Sequence, residues 1–340
     1  MPLSPRKEKI IKAVVDSYIR NPAPVSSKEI QASHLRDTSS ATIRNELAAL
    51  EEMGYLEQPH TSSGRVPTAE AYKLYVEKLM PARKLTRAEL AIIEKHFNSQ
   101  LVEIEDILKK TVKVISEITN YTSVAFAPKI GGAIVKNIKI VKVTENTALV
   151  VIVTDLGIIK DTLIEVGEDF SEAYFEAAAR FVLKSFYNHT VAEILNPDSL
   201  IRDSVDEYRK FFDGVLKILR EYFLSEGEGI ILEGGSKILE YPEYSDVHRA
   251  REVLQIFDAK DRLYPMLKEA GRVDLNIKIG PDTREDALSD CAIVTANYQV
   301  HGKSVGNAGV IGPIRMDYPL VVSVLDYIGK VLKGLPEKLD

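Results

Sequence analysis

Ser26-Ser27-Lys28-Glu29-Ile30-Gln31-Ala32-Ser33, followed after a short gap by Ser39-Ser40-Ala41-Thr42-Ile43-Arg44-Asn45-Glu46-Leu47, is the stretch that decides the fold. Ser26 and Glu29 have the spacing of a capping box, in which the serine meets the N3 amide and the glutamate reaches back. The helix they open is short, from about Ser27 to Ser33, and Leu35-Arg36-Asp37-Thr38 makes a turn. Ser39 or Thr38 caps a second helix, which runs to Met53 and stops at Gly54, the usual left-handed C-terminal position. Ile43, Leu47 and Leu50 fall on one side of it at i, i+4 and i+7, and Ala41, Thr42, Arg44, Asn45 and Ala48 occupy the opposite arc. Such a helix can lie in a DNA major groove while its aliphatic side stays in a small core.

Upstream, Ser4-Pro5 is a helix start, because proline at the first helical position gives up only an orphan donor. Ile10, Ile11, Val14, Val15, Tyr18 and Ile19 then recur at helical spacing until Asn21-Pro22-Ala23-Pro24 ends the run. Downstream, Tyr55-Leu56-Glu57-Gln58 reads as a strand, Pro59 to Arg65 as a polar loop, and Val66-Pro67-Thr68 as the returning strand. Thr68 would cap a further helix through Leu79. Three helices and a hairpin make a winged helix-turn-helix.

Serine and threonine cap helices with no DNA nearby, and helix-turn-helix shapes also serve protein–protein contacts. On the DNA-binding reading, Arg44 reads guanine or holds phosphate, and Asn45 pairs with adenine. Ser39, Ser40 and Thr42 contact base edges or phosphate at the helix N-terminus, with Ser27 and Lys28 beside them. His60, Ser62, Ser63, Gly64 and Arg65 in the wing hold backbone or reach the minor groove, Arg65 foremost because the neighbouring glycine allows close approach.

At 340 residues the chain is long enough for two or three domains, and 45% hydrophobic with 28% charged residues is ordinary globular composition. The net charge of −6 divides unevenly: residues 1–87 hold 14 Lys/Arg against 10 Asp/Glu, so the remainder carries the acidic excess. That asymmetry permits an arm that approaches phosphate joined to an acidic body. A single cysteine, Cys291, rules out an intrachain disulfide and fits a reducing compartment. The start of the chain reads as a polar helix rather than a signal peptide, and no run of 18 apolar residues exists, so the expectation is cytoplasmic with no membrane partner.

Pro81-Ala82-Arg83-Lys84 looks like a linker. From Leu85 to Asn120 a long helical stretch places Leu90, Phe97, Leu101, Ile104, Leu108, Ile115 and Ile118 in near-heptad register, as in a helix packed along its length or a coiled coil with a second subunit. Thr111 interrupts the seam and weakens the coiled-coil version. Strands are then expected over Thr122–Ala127, Ile138–Val143, Ala148–Thr154 and Ile158–Glu165, with a hairpin turn at Asp155-Leu156-Gly157. Helices follow near 170–187 and 204–224, then a strand near 230–233, helices near 246–258 and 260–270, strands near 273–279, 291–299 and 303–311, and a final helix near 318–334.

Gly227-Glu228-Gly229 through Gly234-Gly235 is a poor phosphate cradle, since no Lys-Ser or Lys-Thr follows and the glutamates repel phosphate; a strand bracketed by turns accounts for it better. The six histidines, His34, His60, His96, His189, His248 and His301, are scattered without metal-ligand spacing. No Ser/His/Asp set has a nucleophile-elbow sequence. The expectation is therefore no catalytic residue, no cofactor and no metal.

Two blocks resemble one family. Ser39 through Leu50, the wing Pro59-His60-Thr61-Ser62-Ser63-Gly64-Arg65-Val66-Pro67-Thr68 and Ala71-Tyr72-Lys73-Leu74-Tyr75-Val76 are similar to the heat-inducible transcription repressor HrcA family of bacteria. Asp290-Cys291-Ala292-Ile293-Val294 with Gly309-Val310-Ile311-Gly312-Pro313-Ile314-Arg315-Met316-Asp317-Tyr318 resembles its C-terminal signature, with Ile314 where threonine is expected. The resemblance implies an α+β multidomain chain. Its parts would be a winged helix-turn-helix over 1–87, a discontinuous GAF-like α/β domain over 88–136 and 227–340, and an inserted α+β dimerisation domain over 137–226. It further implies a homodimeric repressor of chaperone operons that binds double-stranded DNA at an inverted-repeat operator, is relieved by heat and is modulated by the chaperonin. Two other classes remain: a ligand-sensing regulator using the GAF-like domain as a small-molecule pocket, and a cytoplasmic enzyme with an accessory helix-turn-helix.

Overall fold

The computed structural model describes residues 3–60, 63–97, 104–126, 133–155, 157–165, 171–195, 208–224, 229–268, 275–300 and 303–334. The chain is α+β and builds three hydrophobic cores.

Helix α1 (Pro5–Arg20) opens on Ser4, whose hydroxyl accepts the Lys7 amide, with Pro5 in the first turn. In α2 (Ser27–Ser33) Ser26 accepts the Glu29 amide at 3.2 Å, the serine half of the expected capping box. Ser39, and not Thr38, caps α3 (Ser40–Glu52) by accepting the Thr42 amide at 3.1 Å. Beyond α3, Gly54 takes a φ of 81°, the left-handed geometry that ends a helix at little cost to glycine. Ile43, Leu47 and Leu50 are buried against Ile10, Ile11, Val14 and Ile30.

The wing is the antiparallel pair β1 (Leu56–Glu57) and β2 (Val66–Pro67). Val25 and Arg65 exchange two backbone hydrogen bonds of 2.9 Å, adding a third chain segment beside the hairpin. Thr68 precedes α4 (Ala69–Leu74), which continues as a π-helical turn over Tyr75–Leu79. The expected Thr68 cap is not made: its hydroxyl donates to the Gly54 and Tyr55 carbonyls at 2.7 and 3.0 Å, tying helix entry to the wing.

The single long helix expected over 85–120 is two helices, α5 (Arg87–Phe97) and α6 (Ile104–Thr119). His96 Nε2 lies 3.8 Å from a Glu117 carboxylate oxygen. Along one straight helix those residues would stand about 31 Å apart, so α5 and α6 pack side by side instead. Ile93 and Phe97 therefore share a core with Leu108, Val112 and Ile115, and the heptad register is divided between two packed helices. Leu101 lies outside the described residues. Thr111 is buried and donates to the Ile107 carbonyl at 2.7 Å, which satisfies its hydroxyl inside its own helix.

The body is a five-stranded antiparallel sheet in the order β7 (Ile230–Glu233), β3 (Thr122–Phe126), β10 (Lys303–Pro313), β9 (Cys291–Val300) and β8 (Leu275–Ile279). Alternation with period two sends Ala125, Val294 and Val310 to one face, with α6 and α12 (Tyr318–Lys333). It sends Val124, Ile293 and Ile311 to the other, with α10 (Val247–Asp258) and α11 (Lys260–Lys268). Gly309 is required where β9 and β10 pack closely, since a Cβ there would lie 1.9 Å from the Val294 carbonyl oxygen.

Between β3 and β7 the chain forms a separate unit. Strands β4 (Val135–Thr144), β5 (Thr147–Thr154) and β6 (Gly157–Glu165) make an antiparallel meander. It packs with α7 (Glu172–Phe186), α8 (Val191–Leu195) and α9 (Arg209–Leu224) around Val150, Ile152, Phe175, Phe186 and Phe211. That core takes in Ala133 and Val135, upstream of the boundary expected at 137. Leu156, in the expected turn, lies outside the described residues.

One feature of the packing departs from an arm on a linker. The first core runs without a break from Ile10, Ile43 and Tyr72 to Val294, Tyr318 and Val321, so the winged helix and the sheet share it. The segment expected as a linker has no regular structure, yet it is pinned where Ser323 Oγ donates to the Arg83 carbonyl at 2.8 Å.

Candidate nucleic-acid interface

Burying Ile43, Leu47 and Leu50 turns the opposite side of α3 outward, so Ala41, Arg44, Asn45 and Ala48 are exposed. Among the described residues Arg44 and Asn45 have no ion-pair or hydrogen-bond partner. Their donors and acceptors are thus free for another molecule. The small side chains of Ala41 and Ala48 flank them and leave the helix surface low. This is the geometry that lets a helix enter a groove roughly 12 Å wide.

The residues around this face divide by role. Ser39 accepts the Thr42 amide and shares a 2.8 Å hydrogen bond with the Thr42 hydroxyl, so both first serve the helix start. Ser27 is 8% exposed and its hydroxyl lies 2.9 Å from that of Ser40. The two serines expected to face DNA therefore face each other and join α2 to α3. Lys28, next in sequence, is exposed.

The wing is braced from within. Ser63 Oγ accepts the His60 amide at 3.1 Å and donates to the His60 carbonyl at 2.7 Å, tying these two residues together with the His60 ring exposed. Ser62 and Thr61 lie outside the described residues. Arg65, expected to hold backbone or reach the minor groove, is paired within the domain. Its guanidinium pairs with Glu51 of α3 at 2.8 Å and its side chain is 17% exposed. Gly64 does serve a close approach, but to the protein's own backbone: a Cβ there would lie 2.4 Å from the Val25 carbonyl oxygen.

Two residues that the sequence did not mark as functional, Glu51 having read as a solvated or helix-end charge, emerge as organisers. Glu51 fixes the wing to α3 through Arg65, and Glu46 of α3 takes Lys7, with Arg6 at 3.8 Å, from α1. Both stand on the intermediate flanks of α3 rather than its exposed crest. Gln58 donates to the Ser63 carbonyl at 3.1 Å and, with Arg44, Ser63 and Val25, lines a cleft of about 380 Å³ between α3 and the wing. Among the described residues no group of acidic, histidine or cysteine side chains is arranged to hold a metal, and no helix is long and apolar enough to cross a membrane.

Comparison with known proteins agrees with this geometry. Residues 2–79 match the family model described as winged helix-turn-helix transcription repressor, HrcA DNA-binding, and residues 105–322 match the HrcA protein C terminal domain. The heat-inducible transcription repressor HrcA of Clostridium tetani is 37% identical, covering 98% of this chain and 97% of its own. Its counterpart in Acetivibrio thermocellus is 34% identical over 99% of this chain and 97% of its own. A crystal structure described only as a hypothetical protein superposes with a TM-score of 0.68 at 23% identity over 98% of both chains, which supports the fold alone. Because the matches run through the winged helix and the body alike, the chain belongs to the HrcA family of heat-inducible transcription repressors, with the winged helix as its DNA-binding part.

Proposed function

We propose that this chain acts in the cytoplasm as a dimeric repressor of chaperone operons. It binds an inverted-repeat operator through two winged helices and leaves it on heating, with the chaperonin restoring the active form. The observation that carries the reading is the exposed pair Arg44 and Asn45, without a partner among the described residues, on the outer face of a helix anchored by Ile43, Leu47 and Leu50. In this reading Arg44 reads or grips one partner base pair, Asn45 its neighbour, and Lys28 and the wing turn at His60 hold phosphate. Ser39, Ser40 and Thr42 contribute the helix N-terminus, while Ser27, Gly64 and Arg65 shape the domain around it.

A single winged helix covers few base pairs, so two of them linked by a dimer gain affinity because the second engagement is intramolecular. The inserted unit of β4, β5 and β6 supports a self-associating role. On the sheet face away from its helices, Val141, Val143 and Leu163 are 53%, 55% and 60% exposed. Clustered exposed aliphatic side chains of this kind mark interaction surfaces. The five-stranded body is taken as the GAF-like domain, its role here being to carry the two other units.

The test is a gel shift with purified chain on a duplex carrying the inverted repeat upstream of a chaperone operon of the source genome. The expected result is one retarded species that is lost after a heat step and regained when chaperonin is supplied. Equal affinity for scrambled duplex would sink the operator reading, and full recovery on cooling without chaperonin would sink the modulator.

A further inference from the structure

The block Gly312-Pro313-Ile314-Arg315-Met316-Asp317-Tyr318 leads into α12 and meets the winged helix at Tyr318. Tyr318 is fully buried, its ring 6.1 Å from that of Tyr72 in α4, and its hydroxyl donates to the Ile314 carbonyl at 2.7 Å. A Cβ on Gly280 would stand 3.2 Å from Ile314 Cδ1 and 3.6 Å from Ala69 Cβ, so the first turn of α4 rests against this corner. Lys73 of α4 reaches Asp282 at 3.0 Å. Arg315 binds both carboxylate oxygens of Glu243 and lies over the Tyr241 ring at 5.7 Å. Tyr18 of α1 packs against the same core as Ile314 and Tyr241, and burial followed by the Glu243 carboxylate pushes its phenol up. From behind, Tyr121 stacks on Tyr241 at 5.6 Å and its hydroxyl accepts the Asp317 amide at 2.9 Å.

We infer that residues 312–318 form the socket that holds the DNA-binding domain, with Arg315 and Tyr318 as positioning residues that set the angle at which α3 meets DNA. The inference rests on the two-half-site reading above. A stiff joint keeps the second winged helix at one distance from the first, so its effective concentration is high for one half-site spacing and low for others. A loose joint spreads the same concentration over many spacings. The socket thus acts on selectivity between operators without touching a base.

The test uses the full chain and three duplexes: the inverted repeat, the same repeat with one half-site scrambled, and a series with the spacer changed by one to five base pairs. For Arg315→Met, and separately Glu243→Gln, half-site affinity should stay within about two-fold of wild type while inverted-repeat affinity falls about ten-fold or more. The spacing preference should flatten. The exchanged pair Arg315→Glu with Glu243→Arg should recover part of both, which a variant that had merely lost folding would not do. A DNA-independent reading is protease cleavage within residues 80–86, expected to be faster in Arg315→Met than in wild type. Half-site and repeat affinities falling together, or neither falling, with cleavage unchanged, would overturn the socket. Should wild type bind neither duplex, the operator reading fails, and the cleavage rates still decide whether the block holds the domain.

Discussion

Arg44 and Arg65 both line the cleft between α3 and the wing, and their surroundings give them opposite tasks. Arg44 stands exposed with no partner among the described residues, so contact with DNA costs it no existing ion pair. Arg65 is already neutralised by Glu51 at 2.8 Å, and moving to phosphate would leave that carboxylate behind. Arg65→Ala should therefore lower unfolding stability by about 1 kcal/mol in a urea titration, the upper range for a partly exposed pair. It should leave the slope of log affinity against log salt unchanged. A slope shallower by about 0.9 would instead place Arg65 on phosphate. Cys291 shows the same dependence on surroundings. It is buried 3.0 Å from the Tyr244 hydroxyl, and burial pushes its thiol up to about 12. A raised thiol value keeps the neutral form dominant at any lower pH, and the neutral form is a poor nucleophile. At pH 8 an alkylating reagent should leave native Cys291 unmodified and modify it after denaturation; rapid labelling of the native chain would contradict the burial.

At the scale of elements, the wing is set by the approach of Gly64 to Val25. With the Val25 carbonyl oxygen 2.4 Å from where a Cβ would sit, the backbone itself must shift to admit one. Gly64→Ala is expected to destabilise the domain by about 2–4 kcal/mol, in the range of severe single substitutions. A melting temperature equal to wild type would show that the wing can move away freely. In the inserted unit, Leu163→Asp on the exposed face of β6 should weaken self-association about ten-fold or more, measured by sedimentation, since a buried leucine contributes roughly 1.5–3 kcal/mol. An unchanged association constant would move the interface elsewhere. Most elements were legible in the sequence because caps, glycine stops and period-two or period-3.6 patterns are local: Ser26, Ser39, Gly54 and the β-branched runs of β4 and β5 all declare themselves. The pairing of α5 with α6 was not, because a heptad register reads the same whether one helix continues or two pack side by side. The exposed crest of α3 was legible at Arg44 and Asn45, whose exposure follows from helical phase. The pairings of Arg65 with Glu51 and of Ser27 with Ser40 were not, since they depend on how segments 13 or 14 residues apart meet in space.

At the scale of the whole molecule, charge and core work in opposite senses. Residues 1–87 hold 14 Lys/Arg against 10 Asp/Glu while the full chain is net −6, so the field favours DNA at one end and repels it at the other. The shared core from Ile10 to Val321 keeps that end fixed to the acidic body and limits the poses in which α3 meets a duplex. A rigid, polarised arrangement suits binding at one defined geometry, and on the proposed reading its contacts fall on Arg44 and Asn45 of α3, which have no partner among the described residues. The most direct measurement is the affinity of wild type and Arg44→Ala for the inverted repeat and for duplexes with each half-site base pair changed in turn. Arg44→Ala is expected to lose about 1–3 kcal/mol of binding and to become indifferent at one symmetry-related position while keeping selectivity at the others. Retention of the full wild-type affinity and base preference by Arg44→Ala would contradict the assignment of α3 as the reading helix.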